Sequence, residues 1–411
     1  MIEITDLVRE RGPLTVAAFM DLALYHPEIG YYARTAPRSG RAGDFFTSVD
    51  AGPLFGELLE QQLSEMRALL DGPDPLRGFD LVEAGAGNGR LAADILCAAR
   101  TRSPDFYQSI RLHLVETSRA ARDAQKATLG DSAERLAWSD AALPEAFEGV
   151  LIANELLDAL PVHQVVMRED GLREVYVAAT RLQGRQRRHR EGADGDFSLV
   201  EGPPSTPALA EYLARLNVGL QPGWRVEINL RALAWIREVA RRLQRGFVIV
   251  IDYGHEAREL YSASHSSGTL TTYRRHFSTG PERTGEPDWL RFPGDRDITA
   301  HVDFTSLRAV AEAEGLQTLG FMDQTYFLLG LLTETGSRLS LAGHRSTGTP
   351  PAGNPPSINN QHLISNQQST INNLKTLILP GGLGSTHKVI IFGKGVGSPA
   401  LRGCSYRMRV T

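Results

Sequence analysis

From residue 79 onward, short apolar runs alternate with stretches of helical spacing, the pattern of a doubly wound α/β sheet. The runs predict strands at 80–84, 111–116, 137–138, 149–153, 247–251, 316–321 and 388–392. Apolar positions three and four apart predict helices at 91–100, 119–129, 230–245 and 305–314. Several strands are apolar throughout, as strands covered on both faces must be. Ahead of this region the pattern is helical. Residues 15–24 have helical spacing, with Pro27 and Gly30 behind them as stop signals, and a second helix starts near Leu54. Gly30-Tyr31-Tyr32 and 38–48 read as a glycine-rich loop. Runs at 162–167 and 175–179 read as a hairpin inserted after the fourth strand.

These breaks divide the chain into an N-terminal cap and covering loop (1–78), a core (79–345) with an inserted lobe at about 162–225, a low-complexity insertion (346–373), a closing strand (374–394) and a tail (395–411). The insertion is rich in Pro and Gly, then in Asn, Gln and Ser. It offers too little apolar surface to offset the cost of ordering and is expected to be mobile.

Composition narrows the class. The 411 residues are 42% hydrophobic and 22% charged, with a net charge of −4. That fits a folded chain with a real core and excludes a dedicated nucleic-acid coat or polybasic membrane binder. Two cysteines, Cys97 and Cys404, build neither a disulfide framework nor a four-cysteine zinc site. The N-terminus lacks a basic region followed by an apolar core, and no apolar run approaches the ~18 residues of a membrane helix. These features predict a cytoplasmic protein without membrane insertion.

The strongest chemical signal is Glu83-Ala84-Gly85-Ala86-Gly87-Asn88-Gly89, between an apolar strand and a helix. Gly85, Gly87 and Gly89 allow a ligand to approach the backbone, and the helix N-terminus offers free N–H groups. The Gly-x-Gly-x-x-Gly dinucleotide fingerprint fails here, because the sixth position from Gly85 is Arg90. That disfavours a nicotinamide oxidoreductase. The Glu-x-Gly-x-Gly-x-Gly pattern resembles the first motif of class I S-adenosylmethionine-dependent methyltransferases. A cofactor without pyrophosphate fits an acidic strand end, where Glu83 can face the ligand's ammonium. Glu116 closes the next apolar strand and can accept both ribose hydroxyls. Asp140 falls at the end of strand three, where adenine would lie. Asn154 and Glu155 end the fourth strand at the carboxyl edge, where α/β folds bind ligands. The Pro-Pro-aromatic sequence of many amino-methyltransferases is absent there, and Asn154 as a plain helix cap is the alternative.

The whole chain resembles the MidA family of S-adenosyl-L-methionine-dependent methyltransferases. The resemblance rests on Gly12-Pro13-Leu14-Thr15, His26-Pro27 through Tyr32, Gly43-Asp44-Phe45-Phe46-Thr47-Ser48 and Phe55-Gly56-Glu57. It continues through the glycine motif, Asn154-Glu155-Leu156-Leu157-Asp158-Ala159-Leu160-Pro161-Val162, Ile251-Asp252-Tyr253-Gly254 and the segment from Asp297 to Phe304. It implies a Rossmann-like class I fold with a seven-stranded, mostly parallel sheet, an N-terminal helical cap and an inserted lobe. Thr47 and Ser48, in a loop over the pocket, would donate to the cofactor's carboxylate. Asn154, Glu155, Asp158 and Asp252 are the expected catalytic residues, with Asn154 also touching cofactor.

Mitochondrial members of the family are protein arginine methyltransferases of respiratory complex I assembly. The implied partner is therefore an arginine-bearing protein, with a complex I subunit as the specific candidate, no nucleic acid, and a homodimer left open. A non-catalytic, cofactor-binding assembly factor is the alternative. Asp297, His301 and Asp303 suggest a metal site, but methyl transfer of this class requires none and the ligand set is poor, so no metal is expected.

Overall fold

The computed structural model describes residues 3–34, 47–70, 78–180, 196–274, 277–279, 287–332, 372–379 and 383–406. Most of the low-complexity insertion (346–371), the start of the covering loop (43–46), the polar run 184–195 and the last five residues lie outside the described residues.

The core sheet is built from β1 (Phe79–Ala84), β2 (Ile110–Val115), β3 (Leu136–Asp140), β4 (Phe147–Asn154), β5 (Leu243–His255), β6 (Gln317–Asp323) and β7 (His387–Lys394). Across the sheet they run β3-β2-β1-β4-β5-β7-β6. The first five are parallel, and β7 is antiparallel to both β5 and β6. The short strand Val302–Asp303 pairs in parallel beyond Gly254 and His255 as an eighth member. This is the class I architecture that the alternating pattern and the glycine motif imply. Because every parallel strand points the same way, their carboxyl ends form one edge, and the order reverses between β1 and β4.

Both faces of the sheet are covered. The helices α1 (Ile4–Arg11) and α2 (Val16–Tyr25) belong to another layer, whereas α3 (Leu54–Leu70) and α4 (Arg90–Arg102) pack on one face of the sheet. Leu59, Leu63, Ile95 and Leu96 are buried there against Leu81, Ile152 and Ile249. The opposite face carries α5 (Leu230–Arg242) and α6 (Phe304–Ala313), whose Ile236, Val239 and Leu307 pack on Val82, Leu151 and Val248. Alternate residues of β1, β4 and β5 thus serve opposite cores, which is why these strands read as apolar throughout.

The N-terminal helices and the inserted strands share a third core. Leu14–Thr15 pairs with Gly171–Ala179, whose other neighbours are His163–Arg168 and Phe197–Gly202. Val8, Phe19 and Met20 are buried with Val162, Val175, Phe197 and Trp289. Residues far apart in sequence therefore form one wall beside the carboxyl edge of the sheet. The expected hairpin is part of a five-stranded sheet that also takes Arg225–Ile228. Among the described residues, no helix is long and apolar enough to cross a membrane.

Candidate active site at the carboxyl edge

The loop after β1 is a cradle facing open space. Gly85, Gly87 and Gly89 have φ of 73°, 51° and 82°, the left-handed region that L side chains rarely adopt. A Cβ added at Gly87 would meet nothing within 4 Å, so the loop borders open space at that point rather than packed protein. Gly89 caps the N-terminus of α4. Glu116 closes the cradle from β2: one oxygen accepts the Gly87 N–H at 2.8 Å, and the other accepts the Ser118 N–H at 2.7 Å. The Glu116 N–H in turn donates to the Asp140 carbonyl at 2.8 Å, bringing the exposed Asp140 beside it. Asp140 uses Oδ1 to accept the next amide, Ala141, at 2.5 Å.

Gln125 is a site residue that the motifs do not reveal. It lies in the helix Arg119–Leu129, fully buried; its Nε2 donates to the Gly87 carbonyl at 2.9 Å and its Oε1 accepts from Ser139 Oγ at 2.7 Å. It ties the cradle to the end of β3. Its one sequence signal is a polar side chain within the helix's buried stripe, Ala121, Gln125, Leu129.

Three expectations for the cofactor side are corrected by the geometry. Glu83 is buried, and its Oε2 accepts the Ala92 N–H at 3.1 Å. It satisfies an open amide of the first turn of α4 rather than facing outward, and burial pushes its carboxyl up to about 8. The hydroxyls of Thr47 and Ser48 have protein partners: Thr47 Oγ donates to Asp50 at 3.0 Å and Ser48 Oγ to Gln324 at 3.1 Å. This segment instead buttresses the site. Asp50 pairs with Arg90 at 2.9 Å, and the Ser48 N–H donates to Glu155 at 3.2 Å.

The catalytic expectations converge on one turn. Asn154 ends β4, and Glu155 follows with φ of 51°, a left-handed conformation rare for a side chain of this kind. The turn is fastened from β5. Asp252 is fully buried; its Oδ2 accepts the Leu156 and Leu157 amides at 3.1 and 2.7 Å, and its Oδ1 accepts the Tyr253 amide at 2.9 Å. The expectation that Asp252 meets an acceptor is corrected: both oxygens are engaged with backbone, and the residue positions the turn. Burial, with Glu155 nearby, raises its carboxyl above the ordinary range. Leu156 in turn abuts the cradle, since a Cβ on Gly85 would lie 3.0 Å from its Cδ1.

Glu155 has its side chain 8% exposed. Its Oε1 accepts from Ser48 and from Asn154 Nδ2 at 3.3 Å, and lies 3.5 Å from His387 Nε2. His387, at the start of β7 and missed by sequence reasoning, has Nδ1 2.8 Å from the Leu383 carbonyl. Asp158 is buried beyond the turn with Oδ1 unpartnered, and Asn154 Oδ1 is likewise buried without a partner. Burial, then Asp252, Glu155 and Asp297, raise the Asp158 carboxyl well above its ordinary range. The third core supplies the facing wall. Tyr32 donates to Asp297 Oδ1 at 2.8 Å, Tyr25 donates to the Ala159 carbonyl at 3.1 Å, and the two rings lie 5.3 Å apart. The set Asp297, His301 and Asp303 does not assemble. Asp303 caps α6 through the Thr305 and Ser306 amides and accepts from Tyr212 at 2.6 Å.

A left-handed glycine cradle, an acidic end on the adjacent strand and this sheet order define a class I methyltransferase that uses S-adenosyl-L-methionine. The family model described as "Putative S-adenosyl-L-methionine-dependent methyltransferase" matches residues 58–322, and the chain belongs to that family. Among curated relatives, the Mus musculus "Protein arginine methyltransferase NDUFAF7, mitochondrial" is 31% identical over 347 residues, covering 78% of this chain and 71% of that protein. The Drosophila melanogaster homolog is 29% identical over 345 residues, covering 77% and 71%. A Burkholderia thailandensis protein crystallised with S-adenosyl-homocysteine superposes with a TM-score of 0.79 at 28% identity, covering 98% of this chain and 94% of that one. The cytoplasmic expectation is corrected by these relatives, whose names place them in mitochondria. A missing leader pattern carries no weight against them.

Proposed function

We propose that this enzyme methylates an arginine side chain of a protein, with a respiratory complex I subunit as the specific candidate. The observation that carries this reading is the gathering of the acidic side chains Glu155, Asp158 and Asp297 around one turn, beside two tyrosines. Asp252, Glu155 and Asp297 all act on the buried Asp158 carboxyl, whose Oδ1 has no hydrogen-bond partner. A guanidinium is charged at any physiological pH, so an acidic wall of this kind attracts it, and Tyr25 and Tyr32 stand beside that wall. A phosphate-bearing acceptor is repelled by the same wall.

The residues present fit the cofactor. Gly87 leaves open space, Glu116 at the end of the adjacent strand keeps lone pairs that a ribose would use, and the unpartnered Asn154 Oδ1 lies at the same edge. When bound, S-adenosylmethionine supplies a methyl group on a good leaving group, so positioning accounts for most of the catalysis. Asp158 and Asp297 orient the guanidinium. Glu155 takes its proton as the new N–C bond forms, and His387 behind it holds a ring nitrogen ready to share that proton. The acceptor-side turn moves with the cradle because Leu156 packs on Gly85.

Incubation with methyl-labelled S-adenosylmethionine, arginine peptides, complex I subunits and RNA tests the reading. Methylarginine by mass spectrometry is the expected product. Label in RNA with none on arginine refutes it. The mass of the active species in solution tests the homodimer.

A further inference from the structure

Three histidines from separate segments meet just beyond the acceptor wall. His255 ends β5, His265 ends the turn Ala263–His265, and His301 precedes the strand Val302–Asp303. One ring nitrogen from each lies within 4.8 Å of the others. The ring centroids are 4.8, 5.2 and 6.0 Å apart. Imidazolium charges at these spacings would repel.

The surroundings treat the rings as ligands. Glu259 addresses two of them: its Oε1 lies 3.1 Å from His255 Nδ1, and its carbonyl oxygen lies 3.0 Å from His265 Nδ1. A carbonyl requires N–H at that position, so His265 presents Nε2 as a lone pair. Carboxylate and carbonyl partners on the far nitrogen are how metal-ligating histidines are held. His301 Nδ1 is buried with no hydrogen-bond partner, a costly state unless something ligates it. Lys388, the nearby cation, is neutralised by Asp323 at 2.5 Å.

We propose that His255, His265 and His301 form a binding site for a divalent transition metal of the zinc type, with three imidazole ligands and an open coordination position. Imidazole sets of this kind suit zinc, copper, nickel and iron rather than calcium or magnesium. Zn–N bonds of about 2.0–2.1 Å place tetrahedral ligand nitrogens about 3.3 Å apart. Small ring rotations close the present separations to that value, and His265 lies on a short surface turn that can follow. The site clips the end of β5, three residues beyond Asp252, to the segment after Ala300. The Ala300 amide donates to the Asp158 carbonyl at 2.9 Å. Metal here stiffens the acceptor side of the active site without entering the methyl transfer.

The test uses untagged full-length protein stripped with a chelator and dialysed. Titration with zinc chloride in a calorimeter should give one ion per chain with a micromolar or lower Kd, and cobalt chloride should give the visible bands of a four- or five-coordinate site. Zinc should raise the melting temperature. H265Q, on the surface turn, should weaken zinc binding at least tenfold while leaving the metal-free melting temperature and cofactor affinity unchanged. X-ray absorption of the zinc-loaded wild type should show three imidazoles. The proposal is overturned by binding only at millimolar zinc, by unchanged affinity in both H265Q and H301N, or by an absorption spectrum without imidazole shells, which needs no variant to fold.

Discussion

Glu83→Gln separates the two roles open to this carboxyl, helix cap and cofactor contact. The buried acid titrates near 8, against 4.5 for a free glutamate. Its protonated form is therefore favoured by folding. Its contribution is fully present below the unfolded pKa and is lost as pH rises through about 8. Glutamine keeps a carbonyl oxygen for the Ala92 N–H and carries no charge at any pH. At pH 5 the two proteins should have similar unfolding free energies. Between pH 5 and pH 9 the wild type crosses about three pH units of the window, so it should lose about 4 kcal/mol relative to the variant. Urea unfolding of both proteins at the two pH values gives this double difference, in which all other titrating groups cancel. A difference flat to within about 1 kcal/mol would refute the burial argument. Cofactor affinity at pH 7 adds the second readout. Retention within roughly threefold assigns Glu83 to the cap, whereas a loss beyond tenfold, about 1.4 kcal/mol, would mean that the carboxylate reaches the ligand's ammonium after all.

Three further outcomes are expected. Gly87→Val should cost the fold only about 1–2 kcal/mol for a left-handed branched residue, since its side chain enters open space, while calorimetry shows cofactor binding abolished; normal binding would misplace the cofactor site. Asp252→Asn removes an acceptor from the Leu156 and Leu157 amides, so turnover and cofactor affinity should fall together, each by roughly tenfold or more. A fall in turnover alone would restore Asp252 as the base. Tyr32→Phe deletes the hydrogen bond to Asp297 and should raise the KM for an arginine peptide about tenfold, leaving cofactor affinity within about twofold; an unchanged KM would remove this wall from acceptor binding.

The sheet was legible because its signal is local. Phe247 to Ile251 is apolar on both faces of a parallel strand, and 119–129 appears in the structure as the helix Arg119–Leu129. The cradle was legible for the same reason: strand, glycines and helix are contiguous, and Glu116 lies on the next strand. What sequence did not reveal depends on side-chain direction. Nothing in Leu81-Val82-Glu83 tells whether the carboxyl turns toward solvent or toward the Ala92 amide. Asp252 occupies the right edge of the right strand, yet its oxygens point at a neighbouring turn. Gln125 is invisible without knowing that its helix faces the cradle. His255, His265 and His301 meet only because β5 runs beyond the core sheet and pairs with Val302–Asp303.

The two halves of the proposed site therefore rest on different kinds of structure. The cofactor half is backbone: left-handed glycines, a helix N-terminus and one acidic strand end, all within one βα unit and its neighbour. The acceptor half is side chains gathered from Tyr25 and Tyr32, the Asn154–Asp158 turn, Asp297 and His387, and it is framed by the core that joins the N-terminal helices to the inserted strands. A mutation that loosens that core leaves the glycine cradle intact but moves the tyrosines. Acceptor recognition can thus fail while cofactor binding persists. The reverse does not hold: Leu156 links the catalytic turn to Gly85, so a change in the cradle's backbone displaces Asn154 and Glu155 as well. The catalytic turn and the cradle are thus coupled through one contact while the tyrosine wall is not, which fits an enzyme whose rate comes from positioning two reactants against each other.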